Sequence, residues 1–235
     1  MAEKDLLQNK HLLWRAGFGP AVEQLDDLGK YSAQQYYKKL ASLSAKKTNY
    51  LQGTDKALED LYTENIGKKA ADRTAEERRE IQRLQTEATR KLSSLWMSEM
   101  VNSEQQLKEK MALFWHGHFA CRSNNAFYQQ QLLHIIRDNA LGNFGDLLKA
   151  VSQSPAMLTF LNNQQNRKGR PNENFAREVM ELFTMGRGNY TEKDIKEAAR
   201  AFTGWTGTPQ GEFVFRKNLH DTGEKTVLGK TGNFT

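Results

Sequence analysis

One cysteine, Cys121, is all that the 235 residues contain. That excludes an intramolecular disulfide and any zinc site built from several thiolates. Prolines are scarce too, at four, which leaves room for long uninterrupted helices. No apolar run approaches the roughly 20 residues of a membrane-spanning helix. The first residues, Met1-Ala-Glu-Lys-Asp-Leu-Leu-Gln8, lack the apolar core of a secretory signal. A cytoplasmic location is therefore expected, or an envelope or exported one if a leader has been removed. Neither charge sign dominates: 34 Lys and Arg face 28 Asp and Glu, for a net charge of +6. With charges interspersed and no zinc-finger, helix-turn-helix or RNA-recognition pattern, no nucleic-acid partner is expected. There is also no Gly-x-Ser-x-Gly elbow, P-loop or dinucleotide fingerprint.

What is present is helical patterning. A hydrophobic content of 38% beside 26% charged residues suits a globular chain. Residues 8–20 read as a short amphipathic helix closed by Gly17, Gly19 and Pro20. Two short helices follow in 21–41, with Leu25, Leu28, Tyr36, Tyr37 and Leu40 expected inside. Residues 42–70 are polar and weakly periodic, and read as a loop. A long helix starts near Thr74. Its first half, to about residue 91, has only Ile81, Leu84 and Ala88 as a thin apolar line, and is expected to stay exposed with little core contact. Ser103-Glu-Gln-Gln106 reads as a capping box opening the next helix. Further helices are expected at about 124–140, 143–152, 155–162 and 172–185, the last closed by Gly186. Thr191-Glu-Lys-Asp194 caps another, which carries Ile195, Ala198, Ala199 and Phe202 on one face. Glu212-Phe-Val-Phe215 is a strand candidate. The expected fold is mainly α, a multi-helix orthogonal bundle with a small irregular or β segment near the C-terminus. It is read as one helical domain over 1–235, truncated at its C-terminal end, with a polar excursion at 42–90.

Three clusters carry the chemistry. In Lys110-Met-Ala-Leu-Phe-Trp-His-Gly-His-Phe-Ala120, two histidines flank a glycine in an apolar, aromatic setting. Neutral imidazole is the commonest metal ligand and is costly to bury alone. Residues two apart on a helix do not face each other, so His116 and His118 converge only if the helix breaks near Gly117. Metal ligation, a structural polar network and acid–base work all remain open for them. In the 172–185 helix, Glu173, Arg177 and Glu181 form a row at i, i+4 and i+8, while Glu178 lies at the edge of the apolar face and needs a partner. Asn172 and Asn174 flank the helix start, where one can cap it and the other can bond neighbouring backbone. His220 beside Asp221 is either a third ligand with an acid–base partner or a self-bonded turn. Arg167-Lys-Gly-Arg170 is a basic loop that either steers an anionic substrate or is simply solvated.

These segments together resemble the bacterial domain of unknown function 1800 family. The matching stretches are His11-Leu-Leu-Trp-Arg-Ala-Gly-Phe-Gly-Pro20, Leu113-Phe-Trp-His-Gly-His-Phe119, Ala140-Leu-Gly-Asn-Phe144, Pro171-Asn-Glu-Asn-Phe-Ala-Arg-Glu178 through Gly186, Ala201-Phe-Thr-Gly-Trp205 and His220-Asp-Thr-Gly-Glu-Lys225. The resemblance implies a largely helical protein that continues past Thr235. It places His116, His118, Asn172, Glu173, Asn174, Arg177, Glu178, His220 and Asp221 inside family motifs and leaves His134 and Cys121 outside them. It implies kinship, not an activity.

The leading expectation is a metal-dependent, hydrolase-like enzyme. His116, His118 and His220 would hold a divalent metal ion, Glu178 or Glu173 would act as base, and Arg177 and Asp221 would complete the site. The substrate would be a small molecule or polymer of unspecified class. The alternative is a non-enzymatic binding or assembly module whose His, Asn, Glu and Arg residues form a structural hydrogen-bond network. The missing C-terminal part of the chain is expected as a packing partner.

Overall fold

The computed structural model describes residues 2–64 and 72–235. Helices make up most of them: α1 (Ala2–Ala16), α2 (Leu25–Leu28), α3 (Ala33–Ser44), α4 (Lys56–Glu64), α5 (Ala75–Asn102), α6 (Gln106–Phe119), α7 (Ala126–Asn139), α8 (Phe144–Ser152), α9 (Pro155–Phe160), α10 (Asn174–Glu181) and α11 (Glu192–Ala201). Two small antiparallel hairpins follow. Strand β1 (Trp205–Gly207) pairs with β2 (Phe213–Phe215), and β3 (Lys225–Val227) with β4 (Lys230–Gly232). The mainly α expectation with a β segment near the C-terminus holds. No helix among the described residues is long and apolar enough to cross a membrane.

Local chemistry sets several boundaries as expected. Thr74 caps α5 and Thr191 caps α11, each in a reciprocal box with Glu77 or Asp194. Ser103 does not cap α6. Its hydroxyl accepts from the Gln105 amide at 3.0 Å, and the helix starts two residues later, from Gln105, without a side-chain cap. The 42–70 stretch is not all loop: Leu58 and Leu61 give α4 an apolar side, and it packs there. Residues 65–70 of that stretch lie outside the described residues. Leu28, Tyr36 and Leu40 are buried as expected, whereas Leu25 and Tyr37 are exposed.

Of the thin line on α5, Leu84 and Ala88 are buried and Ile81 is half-buried. Leu84 and Ala88 join Leu58 of α4 and Ala126 and Phe127 of α7 in one apolar cluster. Between them Gln85 is buried, accepting from the Ala126 amide and donating to Tyr62 Oη, both at 2.5 Å. A narrow stripe suffices because both α4 and α7 pack against it.

The main core lies where α6, α7, α8 and α9 meet α10, around Phe119, Ile136, Leu147, Met157 and Phe175. Segment 46–54, between α3 and α4, runs against α6 and α7 with neither helix nor strand. Buried backbone polar groups need partners, and side chains supply them. Gln105 Nε2 donates to Lys47 O at 3.1 Å, Arg137 Nη1 to Asn49 O at 2.7 Å, and Lys108 Nζ to Lys46 O. His134 Nε2 accepts the Leu51 amide at 3.1 Å, and Gln130 Oε1 accepts those of Gly53 and Thr54 at 2.6 and 3.1 Å. The His134 ring also stacks on Tyr50, with centroids 4.0 Å apart.

Candidate functional site

The expected helix break at Gly117 does not occur. Helix α6 continues to Phe119, and the reversal falls on Ala120, in the left-handed region at φ 34°. Open space surrounds the missing Gly117 side chain, and the Ala120 amide still bonds His116 O at 3.1 Å. Trp115 and Phe119 anchor this last turn in the aromatic core, which outweighs the weak helix preference of one glycine. Two residues are then about 200° apart around the axis, so His116 and His118 face different neighbours.

His116 packs its ring against Trp96 at 5.3 Å. It borders a pocket of about 320 Å³ that also includes Cys121, Arg122 and Gln129. His116 is exposed as a residue, yet protein mass around the ring disfavours its charged form and lowers its pKa. Burial pushes the Cys121 thiol up to about 12, so it is protonated at neutral pH and is no thiolate nucleophile. His118 sits among Trp115, Phe119, Phe144 and Phe183, its Nε2 lying 3.3 Å from Phe183 O. It thus reaches the chain just past α10, at the opposite end from Glu173.

Helix α10 is shorter than expected at both ends: Asn172 shapes a turn ahead of it, and it stops at Glu181 instead of being closed by Gly186, with the Phe183 and Met185 amides reaching back to Glu178 O and Met180 O at 3.1 and 2.8 Å. Asn172 Oδ1 accepts the Asn174 amide at 3.0 Å, and Asn174 Nδ2 donates to Leu161 O at 3.1 Å. Asn174 bonds neighbouring backbone as expected, but neither asparagine is the cap: that position falls on Glu173, which makes no side-chain cap bond. Arg177 forms the expected i, i+4 pair with Glu173 at 3.3 Å. Its stronger partner is Glu192 on α11, held through two bonds of 2.8 and 2.7 Å. Glu181 leaves the row and bonds Arg187 and Tyr190 Oη, both at 2.5 Å. Glu178 is half-buried, with no hydrogen-bond or ion-pair partner for its carboxylate among the described residues.

His220 and Asp221 belong to a third place. His220 is buried, with Nδ1 2.9 Å from Thr203 O. A carbonyl only accepts, so Nδ1 carries the proton. Thr203 Oγ1 donates to Arg200 O at 2.6 Å and accepts the Asp221 amide at 2.8 Å. Asp221 itself takes Arg200 Nε at 2.8 Å and the Gly223 amide at 2.9 Å. Among the described residues no group of three or more His, Cys, Asp or Glu side chains is placed to hold a metal ion.

The Arg200 guanidinium holds the Asp221 carboxyl at a pKa of about 2, below its ordinary 3.8. A carboxylate depressed in the folded state contributes stability that is present above the ordinary value and is lost as pH falls through the folded one. We expect Asp221→Asn to cost about 1–2 kcal/mol at pH 7. The gap to wild type should close between pH 5 and pH 2, as read from thermal melts. A gap of equal size at pH 2 would show that the pair is not the cause.

Two constellations escaped the sequence reading. One is the ion pair of Arg137 with Glu109, both side chains 0% exposed and 2.8 Å apart. Its only sequence signal was a charge inside the apolar run Leu132-Leu-His-Ile-Ile-Arg137. The other is a cleft of about 470 Å³ lined by Gln164, Gln165, Arg167, Arg170, Asn172 and Arg216, with Pro171 and Leu219. The basic loop Arg167–Arg170 was visible, but nothing in its spacing announced that Arg216 would join it.

Fold and site together define a mainly helical protein with two C-terminal hairpins, in which His116, His118 and His220 lie in separate local settings. The chain belongs to the family described as "Protein of unknown function (DUF1800)", whose model matches residues 11–235. No curated protein and no solved structure matches it.

Proposed function

We propose that this chain is a non-enzymatic binding or assembly module whose motif residues form a structural hydrogen-bond network. The observation that carries this reading is that most of the motif side chains already have protein partners. His220 bonds Thr203, Asp221 bonds Arg200, and Arg177 joins Glu173 to Glu192. Groups held this way keep α10, α11 and the hairpins in register.

The hydrolase reading requires His116, His118 and His220 on one divalent ion. They stand against Trp96, Phe183 and Thr203 respectively, so this donor set does not fit a shared ion and no step through a metal follows. One observation favours that second reading: the unpartnered carboxylate of half-buried Glu178, a group available for base or ligand work.

Metal analysis by mass spectrometry, alongside melting temperature, separates the two. Wild type and Glu178→Gln are both expected to be free of stoichiometric metal, with stabilities within about 0.5 kcal/mol of each other. Stoichiometric metal in wild type that disappears in Glu178→Gln would overturn the binding-module reading.

A further inference from the structure

Charge along the chain is uneven near α10. Residues 154–172 contain no Asp or Glu, while Arg167, Lys168 and Arg170 fall within four positions. Glu173 comes next, but Arg177 engages it. Arg216 arrives from the segment after β2, and with Arg167 and Arg170 it lines one cleft. Arg83, Arg177, Arg187 and Arg200 all hold carboxylates. The three cleft arginines hold none among the described residues. Like charges gathered without a counter-charge repel, and protein surfaces ordinarily intersperse the signs.

The gathering is fixed by backbone, not by chance rotamers. Buried Asn166 accepts the Asn172 amide at 2.9 Å and donates to Ala199 O at 2.8 Å. Arg167 O takes the Arg170 amide at 2.9 Å, with Gly169 at φ 78° making the turn. The Lys168 amide bonds Leu219 O at 2.8 Å. Gly204 links both sides, its amide donating to Asn166 O at 3.1 Å and its carbonyl accepting from the Arg216 amide at 2.8 Å.

We propose that this cleft binds an organic ligand carrying two or more oxyanion groups, recognised by Arg167, Arg170 and Arg216. This rests on the binding-module reading and names its ligand class. Guanidinium forks match phosphate, sulfate and carboxylate oxygens in pairs, and three guanidinium charges exceed the one or two negative charges that a single such group carries at neutral pH. A cleft of about 470 Å³ falls in the small-molecule range of roughly 300–1,000 Å³, so the oxyanions sit on a larger skeleton. Leu219 and Pro171 give that skeleton an apolar wall, and the Gln164 and Asn172 amides give it neutral partners.

The test is calorimetric titration at low ionic strength with inorganic pyrophosphate, citrate and sulfate. The proteins are wild type, Arg167→Ala/Arg216→Ala, and Arg79→Ala/Arg90→Ala, which removes equal charge from exposed positions on α5. Pyrophosphate or citrate is expected to bind wild type more tightly than sulfate, and whichever binds tighter tells phosphate from carboxylate recognition. The cleft variant should lose at least about tenfold in affinity while the α5 variant stays within about twofold. All cleft arginines are exposed, so the variants should melt like wild type. Failure of wild type to bind any probe would overturn the proposal, as would equal weakening in the α5 variant. Sulfate binding as tightly as the others would overturn the requirement for two oxyanions. Stoichiometric metal would instead remove the module reading and leave these titrations standing.

Discussion

Replacing Arg137 by methionine is expected to lower the unfolding free energy by about 3–5 kcal/mol. Arg137 Nε and Nη2 bond Glu109 at 2.8–3.1 Å, and Trp96 Nε1 donates to the same carboxylate at 2.9 Å. Neither side chain of the pair has any solvent exposure. Removing the guanidinium leaves a buried carboxylate with one indole donor, and Glu99, 3.6 Å from the guanidinium, becomes a repelling neighbour. Asn49 O also loses its donor, so segment 46–54 should loosen. Urea denaturation measures the loss, and amide exchange at Leu51 and Gly53 should speed up with it. The double variant Glu109→Leu/Arg137→Met should recover part of the stability, because no charge is then stranded. Recovery stays incomplete because Trp96 and Asn49 remain without partners. A single-variant loss below about 1 kcal/mol would mean that the pair is solvated in solution.

Gly204→Ala is the second large effect, at about 2–5 kcal/mol from backbone strain plus overpacking. Gly204 has φ 83°, and a Cβ there would lie 2.6 Å from Arg216 O and 3.3 Å from the His220 amide nitrogen. Both are backbone atoms and cannot swing aside. Gly229→Ala is the control: its φ is 75°, with nothing near the added carbon, so it should cost only about 1–2 kcal/mol. Thermal or chemical denaturation of the two variants gives the comparison, and equal losses would show that φ alone matters. Because Gly204 ties Arg216 to Asn166, its substitution should also weaken oxyanion binding, whereas Gly229→Ala should not.

Much of the helical framework was legible in the chain itself. The Thr74 and Thr191 boxes and the Asn172 turn follow from groups within a few residues of one another, whereas the expected stop at Gly186 does not hold because the helix already ends at Glu181. Short-range hydrogen bonding and φ preference decide such features, and both are written locally. The same reasoning failed at Gly117 and Ser103, where local preference competed with packing. Aromatic anchors at Trp115 and Phe119 carried α6 through a glycine, and with it separated two histidines that a break would have joined.

Family membership, a helical class and the polar character of the motifs were therefore determined by sequence alone. Only the tertiary structure decided which polar groups meet. Glu109 meets Arg137 because α6 and α7 pack face to face, and Arg216 meets Arg167 because Gly204 and Asn166 bond the two segments together. Those encounters depend on how distant segments close on a shared core. Burial rewards that closure without regard to separation along the chain, whereas caps and helical periodicity report only on near neighbours.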